Sequence, residues 1–426
     1  MNEKLLHTPE GVRDVYDTEC KKKKKIASKL HHVLELYGYQ DIETPTFEYF
    51  DIFNRDKGSA GSNEMYKFFD RENNTLVLRP DMTPSIARCV AKYYADENLP
   101  IRLCYEGNTY KNIHNLQGKL KETTEIGAEL MNDDSSAAEA EIIAAVIDCF
   151  LASGIREFQI EVGNVNFFKG LVAAAGMDEE VQSRLRGLIH NKNSFGLSEY
   201  VKTLSLSEEV RTAFMSFDSL FGGMEMLERA KTLVKNEIST EAIVRLEKLY
   251  IALSHYGYEK YIGFDLGMLS RYEYYTGIIF RGYTYGTGDA IVKGGRYNNL
   301  LKQFGKDAPA IGFGLNIDEL LLALSRQKIA VETEDAGTLI VYDRAYQEQA
   351  IHLGCNYRSH KKRVCLIRKS GRRDDRDYMS YAERQHFSEL ILLEKEEKAL
   401  VVDVKKASTT EALLADLISQ ERGNEE

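Results

Sequence analysis

Three lysines, Lys111, Lys119 and Lys121, punctuate the stretch CYEGNTYKNIHNLQGKLKETTEIGAEL, residues 104–130, which reads as two strands joined by a loop. Cations on such a loop suit the phosphates of a nucleotide. An arginine would grip harder, because its planar guanidinium donates two parallel charge-assisted bonds and stays charged. The stretch contains none. It reads as a nucleotide-gripping loop with weaker charge chemistry. Metal chemistry is not expected: the six cysteines form no CxxC pair, and the nine histidines show no ligand spacing. Scattered cysteines of this kind read as free thiols in a reducing compartment. No cofactor is expected.

The chain must position those residues with about two or three domains, since its 426 residues exceed what one usually holds. Hydrophobic residues at 43% and charged ones at 29% fit a globular protein with a sizeable core. A formal net charge of -10 argues against a protein whose main work is gripping nucleic acid. The lysine run at 21–25 is therefore read as a solvated helix face. The start, MNEKLLHTPEGVRD, has no apolar core of a leader, and no stretch approaches the ~18 apolar residues of a membrane span. A cytoplasmic protein without membrane contact is expected.

Periodicity places the elements. Ile26, Leu30, Val33, Leu34 and Tyr37 recur at helical spacing, so a first helix is expected over about 15–37, stopped by Gly38. A hairpin turning at 72–74 and a helix opening near Thr83 and Pro84 follow. After the lysine loop, DDSSAAEAEIIAAVIDCFLASG reads as a capped amphipathic helix and REFQIEVGN as a strand. Residues 167–257 read as helical pieces without strand signals, an insertion. Strand patterns return in YIGFDLGM, EYYTGIIFRGYTY and AIVKGG, then a helix at 297–304, and PAIGFGLNIDELLLALSRQ runs from strand to helix. Beyond a polar boundary at 331–337, strands alternate with helices, which indicates a small α/β domain at 337–426. Its basic part, 358–384, is diluted by Asp374, Asp375, Asp377 and Glu383 and reads as exposed helix and loop.

Seven motifs occur in a telling order: TPEGVRD, YGYQDIETPTFE, LRPDMTPSIAR, the lysine loop, YEYYTGIIF, KGGRYNNL and PAIGFGLNIDEL. Together they resemble the class II aminoacyl-tRNA synthetases, and among them the histidyl-tRNA synthetases, over about residues 8–325. The C-terminal stretch is more weakly similar to the synthetase's anticodon-binding domain. The resemblance implies an α+β fold: an antiparallel sheet with flanking helices in a core domain at 1–328, the helical insertion, and the small C-terminal domain.

The same resemblance shows what has changed. The family's second motif reads aromatic-Arg-x-Glu; here Tyr110, Lys111, Asn112 and Ile113 stand there, so a lysine replaces the arginine and an isoleucine the glutamate. The third motif should end Gly-Leu-Glu-Arg, but Asn316, Ile317, Asp318 and Glu319 put an anion where a cation meets the γ-phosphate. The histidine-specific arginine aligns with Ser270, and Arg271 beside it would face the other way on a strand. Losing one electrostatic anchor of this kind costs about 3–4 kcal/mol of transition-state stabilisation. Adenylation is not expected.

The amino-acid side of the pocket is kept. By the resemblance, Asp81 and Thr83 match positions around the histidine amino group, and Glu129 matches the carboxylate that meets the imidazole. Glu125 stands where the family has glutamine, Tyr274 and Tyr275 line the ring, and Lys111 can pair with the ligand carboxylate. Gly294, Gly295 and Arg296 form the turn beside it. A histidine-shaped site without phosphate chemistry resembles the ATP phosphoribosyltransferase regulatory subunits, which LRPDMTPSIAR is particularly similar to. That implies a non-catalytic partner of a short-form ATP phosphoribosyltransferase catalytic subunit in histidine biosynthesis, with L-histidine as feedback ligand. The implied assembly is a dimer within a hetero-octamer; tRNA is not expected as a partner. A working histidyl-tRNA synthetase and a stand-alone histidine sensor or RNA-binding scaffold remain the alternatives.

Overall fold

The computed structural model describes residues 6–54, 61–113, 119–269, 275–333, 337–395 and 398–419. Its contacts divide the chain into two units, Met1–Val331 and Glu332–Glu426.

The first unit opens with helix α1 (Asp17–Leu36), whose Ile26, Ala27, Leu30 and Leu34 are buried. Gly38 ends it at φ +82°, a left-handed turn that favours glycine, and the chain enters strand β1 (Gln40–Asp41). Strands β2 (Phe47–Tyr49), β3 (Lys67–Phe69) and β4 (Thr75–Leu78) form a small sheet ordered β2-β4-β3, with the short helix α2 (Asp51–Asn54) after β2. The expected hairpin turn is built by Asp70, whose Oδ1 accepts from the backbone of Glu72 at 3.0 Å and Asn74 at 2.8 Å. Helix α3 (Thr83–Tyr93) starts with proline in its first turn, as its missing N–H allows.

Next come the long antiparallel strands β5 (Ile101–Tyr110) and β6 (Glu122–Met131) on either side of the lysine loop. Helix α4 (Ser136–Ser153) is capped at its start by the Ser135 side chain and closed by Gly154 at φ +102°. An amphipathic helix was the expectation, but its buried residues surround the axis and include Ala138, Ala140, Ala144 and Cys149 besides the isoleucines. It lies between the sheet and the helices α1 and α10 (Glu237–His255), so water reaches little of it.

Strand β7 (Phe158–Asn164) leads into α5 (Val165–Ala174), α6 (Glu179–His190), α7 (Ser194–Thr203), α8 (Glu208–Met215), the two-residue strand β8 (Phe221–Gly222), α9 (Met224–Leu233) and then α10. The helical stretch therefore contains a strand that its sequence did not show, because two residues carry no periodicity. Its helices also share the main core rather than building their own: Phe167 and Leu171 of α5 and Leu246 of α10 pack in one cluster with Ile143 and Val146 of α4. Strands β9 (Ile262–Asp265), β10 (Ile278–Thr284), β11 (Val292–Arg296) and β12 (Ala310–Asn316) and helix α11 (Ile317–Arg326) complete the unit. The helix expected at 297–304 is only a single tight turn at Leu301–Phe304, since Tyr297 continues the strand path by donating its N–H to Ala310 O at 2.8 Å.

The main sheet runs β1-β5-β6-β12-β11-β10-β7-β9-β8. Its neighbours pair antiparallel apart from the parallel pairs β1/β5 and β7/β9. One face carries Ile126, Ala128, Leu130, Phe313, Val292 and Phe280 into the core with α4. The other face carries the candidate site.

In the second unit, β13 (Thr338–Tyr342), α12 (Gln347–Ser359), β14 (Val364–Arg368), α13 (Asp375–Arg384), β15 (Glu389–Lys395), β16 (Lys398–Asp403), β17 (Ser408–Leu413) and α14 (Leu414–Ser419) follow in order. The sheet is β14-β13-β15-β16-β17. Leu339 and Val341 pack against one set of apolar residues and Ile340 against another, as expected for a strand buried on both faces. Strand β17 was not foreseen; STTEAL has few residues that fit a half-buried strand.

Candidate functional site

Strand alternation assembles the site. Glu125, Gly127 and Glu129 are two residues apart on β6 and face the same way. Their partners on β12 are Asn316, Gly314 and Gly312, and Gly312 in turn pairs with Gly295 on β11. On β5 the partners of Gly127 and Glu129 are Tyr105 and Leu103. This face is thus a glycine floor with carboxylates standing on it. A Cβ at Gly312 would collide with Glu129 Oε2, and one at Gly295 would meet the Tyr275 ring at 2.7 Å. The floor is flat because those side chains need the room.

Glu129 is the centre. Its carboxylate is 1% exposed. Thr83 Oγ1 donates to Oε1 at 2.7 Å, and Tyr297 Oη donates to Oε2. Burial pushes its pKa up to about 8; the two hydroxyls pull it back in part, and the charge of Asp81 adds to the rise. Glu125 is half-buried, accepts from Thr109 Oγ1 at 3.0 Å, and is also held above the usual carboxylate range by burial. Lys111 opposes that rise and Asp81 supports it. Asp81 accepts from the Thr83 backbone N–H at 3.1 Å. The buried Tyr105 phenol, which donates to Phe313 O at 3.3 Å, is raised by burial and then by Glu129, Glu125 and Asp81. Three carboxylates therefore converge on one spot lined by threonine and tyrosine hydroxyls over the glycine floor. Such an arrangement asks for a ligand carrying N–H donors and positive charge.

The structure brings Asp81, Thr83, Glu125, Glu129 and Tyr275 together. Lys111 is exposed at the rim, with its backbone N–H on Lys121 O at 2.8 Å and its charge felt by Glu125. Tyr274, like Ser270 and Arg271, lies outside the described residues. Arg296 does not face the site. One residue beyond Gly295 on the strand, it points to the opposite face, where its Nε donates to Glu139 Oε1 at 2.7 Å and its Nη1 to Asp133 O at 2.9 Å. It is an anchor between β11 and α4. Tyr105, Thr109 and Tyr297 belong to the site and were missed; Tyr105 and Thr109 share the alternation of β5, a signal that becomes usable once the pairing with β6 is known.

At the start of α11, Glu319 is half-buried and its backbone N–H is held by Asn316 Oδ1 at 3.0 Å in the helix cap. Asp318 beside it accepts from Lys23 Nζ at 2.7 Å and from the Thr124 N–H at 2.8 Å. Lys119 of the loop and Lys293 on β11 share one acid: Asp289 lies 3.6 Å from Lys119 and 3.4 Å from Lys293. Arg281 is the cross-strand partner of Lys293 on β10.

The family model described as histidyl-tRNA synthetase matches residues 11–320. An ATP phosphoribosyltransferase regulatory subunit of Acetivibrio thermocellus is 38% identical over 83% of this chain and 84% of its own. One from Ruminiclostridium cellulolyticum is 34% identical and matches 98% of this chain and 99% of its own. The chain belongs to the ATP phosphoribosyltransferase regulatory subunit family, within the histidyl-tRNA synthetase fold. Among solved structures, a regulatory subunit/histidyl-tRNA synthetase from Bacillus halodurans superposes with a TM-score of 0.83 at 33% identity, covering 92% of this chain and 99% of that one. The matched span, residues 11–320, contains both the carboxylate-lined pocket around Glu129 and Glu319.

Proposed function

We propose that the chain is the non-catalytic regulatory subunit of an ATP phosphoribosyltransferase, acts on a short-form catalytic subunit, and takes L-histidine in the pocket around Glu129. The observation that carries the ligand is Glu129 itself: a buried carboxylate held by hydroxyls and raised to about 8. An imidazolium N–H would add the charged donor that the two neutral hydroxyls do not supply, and the α-ammonium finds Asp81, Glu125 and Thr83. Lys111 at the rim suits the ligand carboxylate. The absence of self-catalysis is supported by Glu319 and Ile113, which supply neither the cation nor the acceptor of an adenylating site. A dimer within a hetero-octamer, in the cytoplasm, is part of the same proposal; among the described residues no helix is long and apolar enough to cross a membrane.

Feedback in this reading is a coupling free energy of about 1–3 kcal/mol between histidine and the active quaternary state. Histidine must bind the two states unequally, whatever its affinity for either. The test mixes the purified chain with a short-form catalytic subunit. Activity should appear with the chain and fall with histidine. Glu129→Ala should raise the inhibitory histidine concentration at least tenfold and leave activation within about twofold, taking a charge-assisted bond as about 1.5–3 kcal/mol. Equal loss of both effects would remove the pocket from regulation. The second reading, a working histidyl-tRNA synthetase, is favoured by the double description of the Bacillus halodurans neighbour. Histidine-dependent ATP–pyrophosphate exchange would establish it and end the first.

A further inference from the structure

A second group of chemically competent side chains lies away from the pocket, where α1, β1 and β5 meet. His31 is on α1, Asp41 on β1 and Cys104 on β5. Asp41 and Cys104 are direct partners in the parallel pairing of β1 with β5, and the Ile42 N–H on Cys104 O at 2.9 Å locks that register. The turn at Gly38 brings the helix back over the strand. His31 Nε2 then lies 2.6 Å from Asp41 Oδ1, and Cys104 Sγ lies 3.6 Å from the same oxygen. The three ligand atoms are all within 4.8 Å of one another.

We propose that His31, Asp41 and Cys104 form a binding site for zinc or a similar borderline-soft divalent cation, with Glu35 orienting the imidazole. One nitrogen, one sulfur and one carboxylate oxygen are a donor set that zinc takes and that magnesium or calcium avoids. Zinc bond lengths of about 2.0–2.3 Å in a tetrahedron set ligand atoms about 3.3–3.6 Å apart. The sulfur–oxygen distance already fits, and Asp41, with its side chain 73% exposed, is free to swing back from the ring.

The surroundings favour a cation as well. Glu35 Oε1 lies 3.8 Å from the other ring nitrogen of His31, so a carboxylate stands behind the imidazole as it does behind many zinc-bound histidines. A salt bridge would account for His31 and Asp41 alone. The cluster adds a buried thiol on the same oxygen and, across the ring, Glu35, which also lies 3.2 Å from His32 Nδ1.

The experiment titrates the full-length chain with Co2+ and with Zn2+ against a chromophoric chelator. One metal per chain is expected, with a thiolate-to-cobalt charge-transfer band in the near ultraviolet. Cys104→Ser and His31→Gln should abolish the band, and Glu35→Gln should weaken zinc binding by about tenfold or more. If the buried Cys104→Ser variant misfolds, the partly exposed His31→Gln decides between the outcomes. A chain that binds no stoichiometric metal, a cobalt complex without the thiolate band, or a band that survives His31→Gln would overturn the proposal.

Discussion

Glu129 and Glu139 are both 1% exposed, yet they occupy opposite faces of one sheet and are held by opposite means. Glu139 receives Arg296 Nε at 2.7 Å, and Arg245 reaches it twice, Nε at 2.8 Å and Nη2 at 3.0 Å. Glu129 receives hydroxyls from Thr83 and Tyr297. A buried carboxylate clasped by guanidiniums is finished; it ties β11 and α10 to α4 and has nothing left to offer a ligand. A buried carboxylate held by neutral donors keeps an unmet demand for charge, and its raised pKa measures that demand. The difference separates scaffold from site more sharply than burial does.

The largest effect expected from this contrast is on the scaffold side. Glu139→Ala should destabilise the chain by about 3–5 kcal/mol, because it removes the carboxylate from the buried Arg296 guanidinium and from the half-buried Arg245, and denaturant unfolding at neutral pH would show it. A loss below about 1 kcal/mol would mean that Glu139 is no more committed than Glu129. On the pocket side, the folded chain holds the Glu129 proton more tightly than the unfolded chain, from the ordinary 4.5 up to about 8. That contribution is fully present below 4.5 and decays as pH rises to about 8, by at most ~1.4 kcal/mol per pH unit. Glu129→Gln has no proton to lose, so its unfolding midpoint should gain on the wild type as pH climbs through that window. Parallel pH profiles would contradict the raised pKa. The smallest effect belongs to Thr83→Val. It removes one hydroxyl from the carboxylate, costs about 0.5–1.5 kcal/mol, and should shift the upper end of the Glu129 window to higher pH, since that hydrogen bond favours the ionised form.

Much of the frame could be read directly. The stripe of Ile26, Leu30 and Leu34 is the buried face of α1, and the strands flanking the lysine loop pair as an antiparallel hairpin. The pocket was legible as far as motif matching reached, bringing Asp81, Thr83, Glu125, Glu129 and Tyr275 into view. It failed at Arg296, where adjacency to two glycines looked like membership of the site. A strand turns each successive side chain over, so the neighbour of a floor glycine must leave the pocket. Tyr105 and Tyr297 escaped for the converse reason: nothing local distinguishes a tyrosine that will meet a carboxylate from one that fills a core.

Periodicity was enough to read the α+β plan, because helical and strand spacing are local properties of the chain, and the order of the motifs was enough to reach the family. The tertiary structure alone decided which glutamate is clasped by guanidiniums, which is held by hydroxyls, and that residues 31, 41 and 104 share one cluster. Those outcomes depend on desolvation and on distances of a few ångströms between segments far apart in the chain, and such distances exist only once the sheet has paired.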